Sequence, residues 1–209
     1  MYKKFFKKLI DVVLALLGIV ILAIPMGIIS LLIVIDDPGP VFFKQKRVGQ
    51  KKNGELTYFM LIKFRSMKMC TPHDIPTHQL ENPQQYITRV GGFLRKTSLD
   101  ELPQIYQILT QKMSVIGPRP ALWNQYDLIE EREKYGANDV KPGLTGWAQI
   151  NGRDELKIEE KARLDGEYVQ KQSFLFDCRC FFGTVFSVLK RDGVVEGGTG
   201  ALEKNSKKQ

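Results

Sequence analysis

A long apolar run near the start of the chain lies between two basic flanks. Residues 12–35 form 24 consecutive positions without a charge, and the lysines before them are Lys3, Lys4, Lys7 and Lys8. A spanning helix needs about 20 apolar residues. The run is longer than the apolar region of a signal peptide, and no small-residue cleavage pattern follows it. The pattern therefore predicts a membrane-inserted helix over residues 1–37.

Two features favour a helix that re-enters the membrane over one that crosses it. Pro25 divides the run into 13 and 10 residues, and proline interrupts helical hydrogen bonding. Each half covers about half of a ~30 Å hydrocarbon core. The basic residues after the run are Lys44, Lys46, Arg47, Lys51 and Lys52. Because basic flanks stay in the cytoplasm, we expect a re-entrant helix with a break at Pro25; a kinked spanning helix is the alternative.

Alternating apolar and polar positions then predict a β-hairpin. Residues 41–49 and 55–67 flank Asn53 and Gly54, a strong signal for a hairpin turn. Alternation over residues 58–67 puts Tyr58, Met60, Ile62 and Phe64 on one face. Lys63 and Arg65 share the other face, and they are interpreted either as a solvated strand face or as a clamp for an anion.

Two adjacent acids, Asp100 and Glu101, precede a pattern with helical spacing. The apolar positions of that pattern, predicted to form one buried face, are Leu102, Ile105, Tyr106, Ile108 and Leu109. Ser98 to Glu101 has the form of a capping box, so the acids serve either the start of a helix or a reaction. Pro103 disfavours helical geometry at Leu102. The helix is therefore expected to begin at Pro103, with the acids in the turn before it.

Two further segments offer candidate contacts to a ligand. Arg119 lies between Pro118 and Pro120, which exclude a regular helix; it is either an exposed loop residue or a guanidinium held for a phosphate. Residues 140–156 are rich in turns and contain Trp147, Gln149, Asn151 and Arg153; the segment either approaches a ligand closely through its glycines or is simply irregular structure. Neither a Walker loop nor a dinucleotide-binding glycine motif is present.

The last part of the chain predicts two helices and a tail. Asp165 and Tyr168 lie at i, i+3 on one helix face. Residues 174–189 are almost wholly apolar or aromatic and form either a core helix or an amphipathic helix on a membrane surface. Residues 193–209 predict a flexible basic tail. The expected fold class is helix-rich α+β with a small β-hairpin or sheet.

The composition favours anionic partners and argues against a metal site built from histidine or cysteine. A net charge of +8 and a pI near 9.3 suggest nucleic acid, anionic lipid or a phosphorylated substrate. The cysteines, Cys70, Cys178 and Cys180, have neither disulfide-framework nor zinc spacing. The two histidines, His73 and His78, fall in a polar, proline-containing surface loop, so a histidine-ligated metal is not expected.

The motifs, taken in order, resemble a known family. After the basic-flanked apolar run come "IKFRSM", "LRKTSLDELPQIYQIL", "MSVIGPRP" and "KPGLTGWAQINGR". Together they resemble the bacterial sugar transferases, the monotopic phosphoglycosyl transferases that begin capsule, exopolysaccharide and glycoprotein glycan assembly. The resemblance covers residues 1–192, about the size of the family's minimal catalytic unit. It implies that residues 38–192 form a catalytic domain on the cytoplasmic face of the bacterial cytoplasmic membrane.

The resemblance implies transfer of a sugar 1-phosphate from a UDP-sugar to undecaprenyl phosphate, with release of UMP. It assigns the nucleophile to Asp100, which would form an aspartyl–phosphosugar intermediate. Glu101 would help in binding Mg²⁺ or in proton handling, and the two acids are the implied Mg²⁺ ligands. The implied substrate and phosphate-binding residues are Lys63, Arg65, Arg95, Arg119, Pro120, Asp165 and Tyr168.

One position departs from the family pattern: many members have serine before the central proline, whereas this chain has Ile24. Two anionic substrates and membrane lipid account for the excess of lysine and arginine without nucleic acid. A membrane-associated glycosyltransferase releasing UDP is the alternative, although no DxD motif is present. A non-enzymatic basic module is the other. The sequence leaves the sugar, the pathway and a homo-oligomer open.

Overall fold

The computed structural model describes residues 1–71, 82–152 and 156–190. The helices are α1 (Lys7–Asp36), α2 (Arg89–Thr97), α3 (Ile105–Leu109), α4 (Tyr126–Glu133), α5 (Trp147–Ile150), α6 (Ile158–Lys171) and α7 (Phe174–Lys190). The strands are β1 (Phe42–Lys52), β2 (Glu55–Phe64), β3 (Ser114–Ile116) and β4 (Gly143–Thr145). A π-helical turn covers Tyr2–Phe6, and 3₁₀ turns cover Pro83–Tyr86 and Leu99–Gln104. The predicted helix-rich α+β class is confirmed.

The predicted hairpin is present as β1 and β2. They pair in antiparallel register from Phe42 opposite Phe64 to Lys52 opposite Glu55. The turn residues Asn53 and Gly54 have φ values of 52° and 84°, left-handed geometry that asparagine and glycine tolerate. A second, parallel two-stranded sheet joins β3 to β4.

The two faces of the hairpin have different surroundings. Phe59 and Leu61 are buried against α1 and α3, whereas Tyr58 and Met60 are 47% and 48% exposed. Lys63 follows Leu61 on the buried face because side chains alternate along a strand. The interpretation of Lys63 as part of a solvated strand face is therefore wrong.

Helix α1 lies along the rest of the protein through one stripe of residues. Its buried positions are Lys7, Asp11, Ala15, Ile29 and Ile33. Ala15 and Ile29 are 14 residues apart, about four turns at 3.6 residues per turn, so both halves of the helix face the same way. The outward side stays apolar, and Ile24 is 76% exposed. By length and composition alone, α1 is able to cross a membrane.

Helical structure continues through Pro25, so the predicted break does not interrupt the helix, and a change of helix direction at Pro25 stays a prediction. Proline still removes one backbone hydrogen bond and bends a helix. Ser30 Oγ donates to Met26 O at 2.7 Å, and serine bonding of this kind also bends helices. The helix therefore has two local causes of bending without being divided in two.

Helix α7 lies on the surface of the protein and has an apolar outer side. Asp177 and Cys180 on one side are buried, and Phe176 packs on the cluster around Trp147 and Tyr168. The exposed residues of its other side are Phe174, Leu175, Phe181, Phe182, Val185 and Phe186. Of the two alternatives left by the sequence, the structure excludes a fully buried core helix.

Candidate active site

Asp100 and Glu101 lie in the 3₁₀ turn Leu99–Gln104, between α2 and α3. Ser98 ends α2 with a φ of 57°, and its side chain does not cap the turn. The capping-box interpretation is therefore wrong, because an N-cap residue has extended rather than left-handed geometry.

The helix after the acids also differs from the prediction. Its α-helical part begins at Ile105 rather than at Pro103. Ile108 is buried as predicted, but Tyr106 is 57% exposed. The prediction assumed one α-helix with 3.6 residues per turn. Because the first part of the segment is a 3₁₀ turn with three residues per turn, the apolar positions do not all lie on one face.

Glu101 is buried, with 8% of its surface exposed, and two cations neutralise it. Lys63 Nζ donates to Oε1 at 2.9 Å. Arg119 Nη1 donates to Oε2 at 3.1 Å, and its Nη2 also bonds Oε1. Burial on its own raises the pKa of Glu101, but Arg119 and Lys63 together hold that pKa well below its usual range. Glu101 is thus a charged anchor for a pair of cations.

Asp100 is equally buried, at 9% exposed, but it is held more loosely. Lys63 Nζ lies 3.9 Å from Asp100 Oδ2, beyond hydrogen-bond distance. Burial raises the pKa of Asp100, Lys63 opposes this effect, and the charge of Glu101 adds to it. Adjacent acids whose environments shift their pKa values in opposite directions are typical of paired catalytic carboxylates.

Arg95 adds a third cation to the site, since its charge acts on Asp100. Its Nε donates to Ser66 Oγ at 2.9 Å. Helix α2 approaches Ser66 closely at Gly91, where an added Cβ would lie 2.0 Å from Ser66 O. The structure thus brings together five of the predicted residues, and the cations come from three separate segments: Lys63, Arg95 and Arg119.

Arg65 and Pro120, which were predicted to bind substrate or phosphate, instead contact other residues of the protein. Arg65 is buried, and its Nη1 lies 3.0 Å from Asp37 Oδ2, so it ties the end of the hairpin to the end of α1. Pro120 contributes its carbonyl oxygen, which accepts from Arg47 Nη1 at 3.0 Å.

Asp165 and Tyr168 lie in a buried polar network. Arg132 donates to Asp165 Oδ2 from Nε and Nη2, at 2.9 and 2.6 Å. The Tyr168 hydroxyl is 2.9 Å from Asp177 Oδ1 and 3.0 Å from Ile116 O. Their shared face on α6, predicted from the i, i+3 spacing, points into the core.

Asp100 and Glu101 are also the predicted ligands of Mg²⁺. The described residues contain no group of three or more His, Cys, Asp and Glu that could hold a metal. Mg²⁺ commonly binds through one or two carboxylates together with substrate phosphates and water, and two adjacent carboxylates fit that donor set. Since Glu101 already accepts from Lys63 and Arg119, Asp100 is the less committed of the two.

Gln107 is a site-supporting residue that the sequence pattern did not indicate. It is only 2% exposed, and its side-chain amide pairs with β2. Its Nε2 donates to Met60 O at 2.6 Å, and its Oε1 accepts from Ile62 N at 3.1 Å. Gln107 thereby fixes the strand immediately before Lys63.

Replacing Gln107 by leucine is expected to destabilise the protein by about 1–3 kcal/mol, because two partly buried backbone groups lose their partner. The measurement is thermal or denaturant unfolding of the purified protein in detergent. Gln170→Leu, at an exposed position of α6, is the control and should leave stability nearly unchanged. Equal effects of the two substitutions would contradict the bridging role of Gln107.

Some predictions fall outside the described residues. They concern Arg153, both histidines with most of their loop, and the tail 193–209.

Comparison with known proteins places the chain in a family. The model of the family described as bacterial sugar transferase matches residues 2–191. The UDP-glucose:undecaprenyl-phosphate glucose-1-phosphate transferase of Escherichia coli K12 is 40% identical over 188 residues, which cover 86% of this chain and 39% of that protein. The undecaprenyl-phosphate galactose phosphotransferase of Salmonella typhimurium is 35% identical over 210 residues, covering 91% and 42% respectively.

A shorter relative is covered over most of its length. The exopolysaccharide production protein ExoY of Sinorhizobium fredii is 32% identical over 196 residues, which cover 87% of this chain and 84% of that protein. In contrast, the chain spans only about two-fifths of the length of the Escherichia coli and Salmonella typhimurium relatives. Because the family match extends over nearly the whole chain and includes the acidic turn with its three cations, the chain belongs to the bacterial sugar transferase family.

Proposed function

We propose that the protein transfers a sugar 1-phosphate from a UDP-sugar to undecaprenyl phosphate and releases UMP. The observation that carries the proposal is the contrast between the two acids. Glu101 is neutralised by Lys63 and Arg119, while Asp100 beside it is buried with Lys63 Nζ 3.9 Å away, beyond hydrogen-bond distance. Two family relatives are named for the transfer of glucose 1-phosphate or galactose phosphate to undecaprenyl phosphate, and they support the same reaction class.

In the first step, an Asp100 carboxylate oxygen attacks the β-phosphorus of the UDP-sugar. The bond from that phosphorus to the bridging oxygen breaks, and UMP leaves with the electron pair. Asp100 then carries the sugar 1-phosphate as an acyl phosphate. In the second step, a phosphate oxygen of undecaprenyl phosphate attacks the same phosphorus. The new diphosphate bond forms, and Asp100 leaves as a carboxylate.

The surrounding cations serve both steps. Their positive charge opposes the rise in the pKa of Asp100 that burial causes, and it stabilises negative charge that builds up on the phosphoryl oxygens. Arg119 presents a planar guanidinium suited to phosphate, and Glu101 holds it and Lys63 in position. Mg²⁺ bound by Asp100 and Glu101 would supply charge neutralisation for the diphosphate.

The identity of the released nucleotide tests the reaction. We expect UMP when the full chain in detergent is incubated with undecaprenyl phosphate and a panel of UDP-sugars, including UDP-glucose and UDP-galactose. Release of UDP would instead indicate the alternative, a membrane-associated glycosyltransferase. The panel also identifies the sugar.

We also propose that α1 enters and leaves the membrane from the cytoplasmic side. Its first half packs on the hairpin through Ala15, and its second half packs on Phe64 and Leu94 through Ile29 and Ile33. A helix that crossed the bilayer would carry its two ends to opposite sides, away from one common body. The apolar outer sides of α1 and α7 would both contact lipid.

Single-cysteine labelling in a background without the native cysteines measures this topology. We expect Lys3→Cys and Glu55→Cys, before and after α1, to react with an impermeant thiol reagent from the cytoplasmic side of oriented vesicles. Both positions are exposed in the folded protein. Labelling from opposite sides would show that α1 spans the membrane.

A further inference from the structure

Three lysines from distant parts of the sequence lie on segments that the structure brings together beside the start of α1. We call Lys8, Lys52 and Lys141 the lysine cluster. Lys8 lies in the first turn of α1, Lys52 ends β1 at the hairpin tip, and Lys141 comes two residues before β4. Lys8 and Lys52 are exposed, and Lys141 is half-buried.

Hydrogen bonds on the hairpin side hold Lys52 near Lys141. The Lys51 N–H donates to Asn138 O at 2.8 Å, and Gln50 Nε2 donates to Asp139 O at 2.7 Å. These bonds dock the end of the hairpin onto the segment that leads into Lys141.

Hydrogen bonds on the other side hold α1 near the same segment. The Ser114 N–H donates to Pro142 O at 2.9 Å, and Ser114 Oγ donates to Asp11 Oδ2 at 2.8 Å. Asp11 is one turn after Lys8 on α1, so these bonds place the first turn of the helix beside the segment that carries Lys141. Lys141 Nζ itself donates to Gln111 Oε1 at 2.6 Å.

The charges of the cluster are not neutralised by ion pairs. Within the part of the chain that the structure describes, none of the three lysines has an acidic partner within 4.0 Å. Their sequence neighbours differ: Lys7 is 2.7 Å from Asp177, and Lys51 is paired with Glu133.

Electrostatics at Lys141 agree with an uncompensated cluster. Burial and repulsion from Lys8 lower the pKa of Lys141, and Lys52 adds to this effect, while Asp11 opposes it. A bound anion would relieve this repulsion.

The position of the cluster indicates the kind of anion. Exposed apolar residues lie on both sides of Lys8 along the helix: Phe5 and Phe6 before it, Leu9 and Val13 after it. The cluster therefore lies beside an exposed apolar surface. We propose that the lysine cluster binds the phosphate of an anionic phospholipid head group beside this surface. The proposal rests on the membrane placement of α1 given above, but not on its catalytic chemistry.

Native mass spectrometry of the purified full chain in mild detergent tests the proposal by measuring how tightly the protein binds lipid. The probes are phosphatidylglycerol, phosphatidylcholine and inorganic phosphate. We expect the triple variant Lys8→Gln, Lys52→Gln, Lys141→Gln to lose about 100-fold in affinity for phosphatidylglycerol. Its affinity for phosphatidylcholine should not change. The control carries the same charge change at exposed lysines elsewhere: Lys134→Gln, Lys157→Gln and Lys171→Gln.

Equal phosphatidylglycerol binding by the cluster variant and the control would overturn the proposal. Inorganic phosphate that displaces phosphatidylglycerol at equal concentration would contradict a lipid site and indicate a site for free anions. If the triple variant unfolds, the exposed single substitutions Lys8→Gln and Lys52→Gln replace it, each with an expected loss of about fivefold. No change in either would also overturn the proposal. Because the readout needs no turnover, its failure is distinct from failure of the proposed reaction.

Discussion

Replacing Asp100 by asparagine is expected to lower kcat/KM on the order of 10⁴-fold or more. The amide has nearly the same volume, so the buried turn stays packed, but its neutral oxygen does not displace UMP from phosphorus. UMP release in the presence of undecaprenyl phosphate is the measurement. We expect the thermal stability of the protein to stay nearly unchanged while its activity is lost.

Asp127→Asn provides the matched control for this substitution. Asp127 is exposed in the first turn of α4, and its replacement should leave activity within about twofold of the wild type. If Asp100→Asn retained a tenth of the wild-type activity, Asp100 would not be the nucleophile.

Replacing Lys63 by methionine is expected to lower kcat/KM about 10²–10³-fold at neutral pH. Lys63 lowers the pKa of both acids, and the loss of its charge leaves two buried carboxylates with less compensation. The pKa of Asp100, already raised by burial, would rise further, so a smaller fraction would be ionised.

The pH dependence separates this effect from a loss of fold. Because Asp100 acts as the ionised carboxylate, activity rises with pH through its pKa, and Lys63→Met should move this rising limb to higher pH. Lys44→Met, at an exposed position of β1, should leave the profile in place. An unchanged rising limb in Lys63→Met would contradict the electrostatic role of Lys63.

Elements that depend on local pattern were predictable from the sequence. The hairpin followed from Asn53 and Gly54, whose left-handed geometry the structure confirms, and α1 followed from the apolar run. The acidic turn was harder, because Ser98 terminates α2 instead of starting the next helix. The Ser98 N–H bonds back to Arg95 O in a left-handed C-cap, and the glycine that commonly signals such a cap is missing from this position.

The site required information that spacing does not carry. Lys63 and Arg119 are 56 residues apart in the sequence, and only tertiary packing brings them to the same carboxylate. The family resemblance supplied these residues, but a motif does not say what each side chain contacts. Asp165 carries a family motif, but its side chain pairs with Arg132 in the core. Gln107 was not predictable, because its partners are backbone atoms of β2.

The most direct test of the reaction is the intact mass of the purified protein after incubation with its UDP-sugar in the absence of undecaprenyl phosphate. We predict that the wild-type chain gains one sugar phosphate, that undecaprenyl phosphate removes it, and that Asp100→Asn gains none. An unmodified wild-type chain that has released UMP, or an equally modified Asp100→Asn chain, would contradict the role of Asp100 as nucleophile.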